Sequence, residues 1–275
     1  MSATNIGSVA SLHRYPVKSM MGEELNATRV GTKGFHGDRV FALADVETGK
    51  IASAKNPSKW PTLFSFRAAF TEPLNGSDSL PPALITFPDG STITTEDKDI
   101  ATRLSFNLGK PVRFLKSAPA AGTLEEYWAD IDGLARRDVV TDEAMPAETF
   151  FDLGMIHLLT TATLDSYRAL YPEGRFEPRR FRPNLVIETP SGVKGFPEND
   201  EWNEKILAIG SEVKLKITGP CGRCVMTTLP QGDLPKDVGI LKTAAKHNEA
   251  RVGAYASVLQ GGVVRRGDAA RIEPA

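Results

Sequence analysis

The first 116 residues are cut by turn-forming residues into short runs, and that spacing constrains the fold more than any other feature. Ile6 to Arg14 has β-type composition and stops at Tyr15-Pro16, where proline removes a ladder donor and ends or bends a strand. Val17-Lys18-Ser19 follow just past that strand end, where lysine and serine together can hold a phosphate or stand solvated. Gly34-Phe35-His36-Gly37-Asp38-Arg39 leads into Val40–Ala44, and Glu47-Thr48-Gly49-Lys50 returns the chain to Ile51–Ser53, which predicts a hairpin. Arg39 would begin its first strand, free to grip an anion bidentately or to pair with Asp38. A second hairpin is predicted for Leu84–Phe87 and Ser91–Thr95 around Pro88-Asp89-Gly90. Asp97 to Leu108 reads as a helix closed by Gly109 and Pro111, and Pro111 to Lys116 as a strand. The expectation is a small β-rich domain over residues 1–118.

Ser117-Ala118-Pro119-Ala120-Ala121-Gly122 reads as a linker, small and without periodicity, and a second domain is expected over 123–275. Ile156-His157-Leu158-Leu159 is a short apolar strand, and Thr160 or Thr161 can cap a helix bearing Leu164, Tyr167, Leu170 and Tyr171. The N-terminus of such a helix is an anion site by geometry, which makes Thr160 a candidate. Arg175 to Asn184 is the most cationic stretch and needs anions. An RNA patch with Phe176 and Phe181 interleaved is one reading; a phosphorylated cofactor or substrate fits better, because 33 Lys+Arg against 34 Asp+Glu leave a net charge of -1 and no global field toward nucleic acid or membrane.

Both cysteines fall in Gly219-Pro220-Cys221-Gly222-Arg223-Cys224, after a strand that alternates cleanly through Val213–Ile217. Zinc wants four nitrogen or sulfur ligands, and His13, His36, His157 and His247 are scattered. A redox pair usually opens a helix, whereas Val225, Thr227 and Thr228 favour extended backbone. Arg223 beside Cys224 is expected to favour the thiolate, which can be a nucleophile, a sulfur carrier or a soft-metal ligand; two small buried hydrophobes are the plainer reading. Two cysteines in a chain of this length, with no apolar leader and no membrane span, point to a cytoplasmic protein.

Read in order, these motifs resemble the two-domain MOSC family, named for the C-terminal domain of molybdenum-cofactor sulfurase and including the mitochondrial amidoxime-reducing component. The resemblance rests on Tyr15-Pro16-Val17-Lys18-Ser19, Gly37-Asp38-Arg39, Arg180-Phe181-Arg182-Pro183-Asn184, Trp202 before Ile209-Gly210, Cys221-Gly222-Arg223-Cys224 with Thr227-Thr228, and Gly253-Ala254-Tyr255. It implies an α+β fold, a β-rich N-terminal MOSC domain followed by a MOSC-type β-barrel domain with flanking helices. It further implies a molybdenum cofactor (Mo-molybdopterin) held between the domains, its metal bound by the catalytic Cys224. Lys18, Ser19 and Arg39 match the positions that hold it from the N-terminal side, and Arg182, Asn184 and Tyr255 those on the other; Thr160, Gly222 and Arg223 complete the expected set. Pyridoxal phosphate binding is a further family-level expectation.

The activity implied is reduction of N-hydroxylated and other N-oxygenated small molecules. Electrons would come from a separate donor, a ferredoxin or a cytochrome with a flavoprotein reductase, since the chain has too few cysteines for a cluster and no Gly-rich dinucleotide loop. No nucleic acid or membrane partner is expected. Two rival readings are a sulfur-carrier or cofactor-handling protein with a persulfide on Cys224, and an anion- or RNA-binding module without catalysis. One departure stands out: Gly222 occupies a position where relatives often carry Ser, so only a backbone N–H remains there.

Overall fold

Ile156-His157-Leu158-Leu159-Thr160 is buried at every residue in the computed structural model of the protein, which describes residues 3–74, 76 and 79–273. A strand covered on both faces needs a curled sheet on one side and a helix on the other. Ile156–Thr160 pairs in parallel with Leu185–Glu188 and antiparallel with Arg251–Gln260. The ladder continues through Val213–Gly222, Ile206–Ile209, Ala269–Glu273 and Thr4–Arg14, and Thr4–Arg14 pairs back onto Leu185–Glu188. Seven strands thus close into a barrel, filled by Leu12, Leu158, Leu185, Leu207, Leu215 and Ile217 among others. The parallel pairing requires a crossover, which the helix Thr161–Leu170 carries. Leu164 and Tyr167 of that helix join Leu159 and Phe176 in a core of their own.

The chain leaves the barrel at Arg14 and within a few residues enters a second core. Val17 and Met20 are buried there with Phe41, Trp60, Phe66, Ile85 and Leu104. The second hairpin forms as expected, Ala83–Thr86 pairing with Thr92–Thr94 and, on its other edge, with Arg67–Phe70. The helix Ile100–Leu108 ends at Gly109, whose φ of 66° supplies the left-handed cap. The first hairpin turns where predicted, Asp45 N–H donating to Lys50 O and Ala52 N–H to Leu43 O, but Ala42–Asp45 finds its ladder partner in Val112–Leu115. Arg39 does not begin that strand. It sits before it with φ 50°, its N–H donating to Tyr15 O.

The α+β architecture, a β-rich N-terminal unit and a barrel with flanking helices, is the one expected. Strand pairing nevertheless crosses the division at 118–123. Thr4–Arg14 lies before it and is a barrel stave, while Thr123–Trp128 lies after it and bridges the N-terminal unit through Leu124 and Ile51. A run of small residues signals a break in periodicity and says nothing about which core the flanking strands join.

Gly253 shows how tightly the barrel is packed near one end. Its φ is +81°, and a Cβ there would stand 2.2 Å from His157 Nε2 and 2.4 Å from Leu158 O on the neighbouring strand. Gly253→Ala is therefore expected to cost about 2–4 kcal/mol, from left-handed strain plus overpacking. Urea denaturation would show this as a lower midpoint at unchanged slope; an unshifted midpoint would contradict the packing.

Candidate functional site

The strand Val213–Gly222 slips register against Arg251–Gln260 between Pro220 and Gly222, a bulge that turns the chain out of the barrel wall. Cys221 stays buried and Cys224 is half-exposed. Val225–Thr228 then form a 3₁₀ turn instead of the extended backbone their composition suggested. The reason is local satisfaction: Thr227 and Thr228 hydroxyls donate to Cys224 O and Val225 O at 3.1 and 2.8 Å. Met226 and Leu229 pack on the N-terminal core, so this turn is clamped between the two units.

Facing Cys224 is a cavity of about 500 Å³ lined from both units. It gathers Lys18, Ser19, Arg39, Arg182, Asn184, Gly222, Arg223, Cys224 and Tyr255, every expected site residue except Thr160. Three of them hold left-handed backbone without being glycine: Ser19, Arg39 and Arg182, with φ of 63°, 50° and 54°. Such positions cost about 1–3 kcal/mol each and persist where surrounding structure fixes them, typically at functional sites. Here the fixing groups are visible. Ser19 Oγ accepts from Ala54 N–H at 3.1 Å, which leaves its own proton to donate. Asp38 is wholly buried and pairs with Arg39, while its oxygens also accept from Tyr15 N–H at 2.8 Å and Asn184 Nδ2 at 2.9 Å.

Among the described residues Arg182 has no carboxylate partner. Its guanidinium donates to Met20 O at 2.6 Å and lies 4.1 Å from the Tyr15 ring centroid and 5.4 Å from that of Phe64. Burial, then the like charge of Arg39, push it down to about 10. Lys18 donates to Phe150 O at 2.7 Å and pairs with Asp152. Lys18, for which a solvated place was one of two readings, is buried at 4% exposure, and Arg182 is buried at 8%. Lys18, Arg39, Lys55, Arg180, Arg182 and Arg223 line a cavity whose carboxylates are Glu126, Asp152 and Glu249. The balance calls for an anion.

Arg223 is not the cation that addresses Cys224. Its guanidinium turns to Val252 O, at 2.9 and 2.7 Å, and to the His157 ring, which burial and Arg223 hold neutral, far below the usual histidine range. Adjacent residues project in different directions where a strand ends, so sequence neighbours need not be charge neighbours. Lys55 takes that place, paired with Glu126 at 2.9 Å; burial opposes its charge, but Asp152, Cys224 and Glu126 outweigh it and raise its pKa. Nor is the Cys224 thiol poised as a thiolate: burial, then Glu126, push it up to about 12. Cys221 is also raised by burial.

Thr160 is removed from the site. Its hydroxyl caps the helix Thr161–Leu170 through Thr163 N–H and donates to Glu198 Oε2 at 2.8 Å. The anion position at that helix end is filled by the chain's own buried Glu198. Asn184 lines the cavity, but its amide is spent on Asp38, on His13 O and on His157 N–H, so it acts by positioning Arg39. The arginine cluster disperses likewise: Arg175 and Arg179 pair with Glu177 and Asp233, and Arg180 donates to the carbonyls of Arg175, Thr227, Leu229 and Pro235. Gly222 faces open space, a Cβ there meeting nothing within 4 Å. Lys55, Asp152, Glu126 and His157 were missed because each stands alone among unremarkable neighbours, with no spacing to mark it.

Comparisons with known proteins find matches to two family models. A family model described as MOSC domain matches residues 149–271, and one described as MOSC N-terminal beta barrel domain matches 6–102. Molybdenum cofactor sulfurase 3 of Aedes aegypti is 35% identical over 80 residues, 28% of this chain; the match spans only 10% of that protein's length. Among solved structures, the YUAD protein of Bacillus subtilis aligns over 100% of this chain and 97% of its own at 13% identity and a TM-score of 0.48. YiiM of Geobacillus stearothermophilus aligns over 44% and 54% at 18% identity and 0.34. Among the described residues no helix is long and apolar enough to cross a membrane.

If the cavity is built to receive an anion, its charge should be a burden when empty. Arg182→Met is expected to leave the ligand-free protein as stable as the parent or up to about 2 kcal/mol more so, since an apolar side chain of similar length replaces an unpaired buried charge. The parent should gain melting temperature on adding inorganic phosphate and the variant should not. Equal phosphate responses in thermal denaturation would remove Arg182 from the anion site.

Proposed function

The chain belongs to the MOSC family as a two-domain member, and from that premise we propose that it binds the molybdenum cofactor in this cavity with Cys224 as the metal ligand and reduces N-hydroxylated and other N-oxygenated compounds. The family is associated with molybdenum-cofactor proteins. The observation that carries the proposal is the junction, in one cavity, of the Cys224 thiol with six lining cations, Lys18, Arg180 and Arg182 among them buried, against three lining carboxylates.

The donor set fits the group. A pterin dithiolene with a terminal phosphate asks for charge-assisted donors, which Lys18, Arg39 and Arg182 provide beside the Ser19 hydroxyl. Among the described residues no cluster of three or more His, Cys, Asp or Glu side chains stands where it could hold a metal, so the other ligands must arrive with the cofactor. When bound, the cofactor supplies two-electron oxygen-atom chemistry at its metal. To hold the metal Cys224 would have to lose its proton; coordination lowers a thiol's pKa, and the half-exposed sulfur could release the proton to water. Asp152, which Lys18 and Lys55 hold ionised against the cost of burial, stays a carboxylate at neutral pH and can accept hydrogen bonds there. Lys55 and Glu126 neutralise one another next to the sulfur, so the thiolate would face little net field from that wall. A sulfur carrier would need Cys224 as an attacking thiolate at rest, a form that desolvation and the Glu126 carboxylate disfavour. Electrons would come from a separate ferredoxin, or a cytochrome with a flavoprotein reductase.

Protein from a host that makes the cofactor should carry near-stoichiometric molybdenum and pterin. Cys224→Ser should lose the metal while remaining folded, because an alcohol is a poor soft-metal ligand, and Cys221→Ser should keep most of it. Loaded protein should reduce benzamidoxime with an artificial low-potential donor and do nothing with NADH alone. Full loading without donor-driven turnover, together with persulfide recovered on Cys224, would replace the reductase with the sulfur carrier.

A further inference from the structure

Part of the cavity wall comes from chain that neither family match includes. Residues 103–148 fall between the two matches, and within them Thr123–Trp128 and Val139–Ala144 form an antiparallel hairpin. The base of this hairpin is fastened to the N-terminal unit. Leu124 bridges Ile51, Lys50 pairs with Glu125 and Asp142, and Lys55 pairs with Glu126. Its connecting loop is fastened elsewhere: Ile131 is buried against Leu241, Ala245 and Ala250, the first two on the helix Gly239–Asn248 of the C-terminal unit. Between these anchorages Trp128 and Leu134 line the cavity.

Trp128 is held still. Its Nε1 donates to Thr141 Oγ1 at 2.8 Å, and the Arg136 guanidinium lies 5.3 Å from the ring centroid. An indole fixed at its N–H and covered by a guanidinium offers what remains of its flat apolar surface to the cavity it lines. Leu134, Phe151 and Met226 line the same cavity and continue the apolar surface. A rigid flat apolar wall on one side of an otherwise charged cavity admits planar apolar substituents and gives a flexible alkyl chain less contact.

We propose that the 123–144 hairpin sets substrate specificity, Trp128 and Leu134 selecting N-hydroxylated compounds that carry a flat aryl group. This rests on the reductase reading above. The discriminating measurement is calorimetric titration of cofactor-loaded protein with benzamidoxime and with acetamidoxime, beside donor-driven turnover of each. Trp128→Ala should raise Kd and KM for benzamidoxime by about tenfold, leave acetamidoxime and kcat within about twofold, and leave molybdenum and pterin content unchanged. Trp128→Phe should recover most of the aryl preference, and Ile131→Ser, which frees the loop from its helix, should lose it like the alanine variant. Equal losses for the two amidoximes would overturn the proposal. So would a fall in pterin content in Trp128→Ala, which would make the indole a wall for the cofactor. Titration needs no turnover, so the two readings separate: an aryl preference in binding with no reduction of either compound rejects the reductase and keeps the wall, while reduction without aryl preference rejects the wall.

Discussion

Positive charge buried without matching carboxylates is the condition around which the rest of this structure is arranged. An arginine taken out of water and left with carbonyls and aromatic faces costs free energy that the fold must recover elsewhere. It does so by setting the cations where two well-filled cores meet. Lys18 and Ser19 lie between Val17 and Met20, both buried in the N-terminal core, and Arg182 precedes Leu185 of the barrel. Each cation stands on a short connection whose two ends are packed, so left-handed backbone can be held there without loosening the loop.

Asp38 shows how little is needed to hold such a site together. One carboxylate, wholly buried, receives the Tyr15 N–H, the Asn184 amide and the Arg39 guanidinium. Three motifs far apart in the chain therefore share a single acceptor. Tyr15 returns the favour with its ring, which lies beneath Arg182 and beside Arg39, and burial pushes its phenol up to about 12, so it stays neutral. An anion entering the cavity would meet donors already aimed, with little side-chain entropy left to lose.

What could be read from the sequence was whatever lies along the chain. Proline after Ile6–Arg14, Pro88-Asp89-Gly90, and the capped helix before Gly109 gave hairpins and helix at their observed places, because their causes are local. Motif order likewise carried Lys18, Arg39, Arg182 and Cys224 to one cavity. What escaped was set by three-dimensional neighbours. The cation beside Cys224 proved to be Lys55, distant in sequence, while adjacent Arg223 turned toward His157 and Val252. The helix end at Thr160 proved to hold Glu198, which nothing near Thr160 announces. The strand partner of Ala42–Asp45 lay across a whole subdomain, at Val112–Leu115.

The strand Thr4–Arg14 closes the barrel by pairing with Leu185–Glu188 on one side and Ala269–Glu273 on the other, Thr4 opposite Ile272. That seam joins nearly opposite ends of the described chain, so it cannot form during synthesis until almost everything between has been made. Loop-closure entropy is then spent at the last step, and long-range pairing of this kind is slow. Until it happens, Thr4–Arg14 has its short local pairing with Glu23–Leu25 and its tether, through Val17 and Met20, to an N-terminal core whose own contacts lie mostly within residues 17–112. Order of birth thus leaves the cation-bearing segment Lys18-Ser19 anchored on one side only, and the cavity comes into being with the final stave.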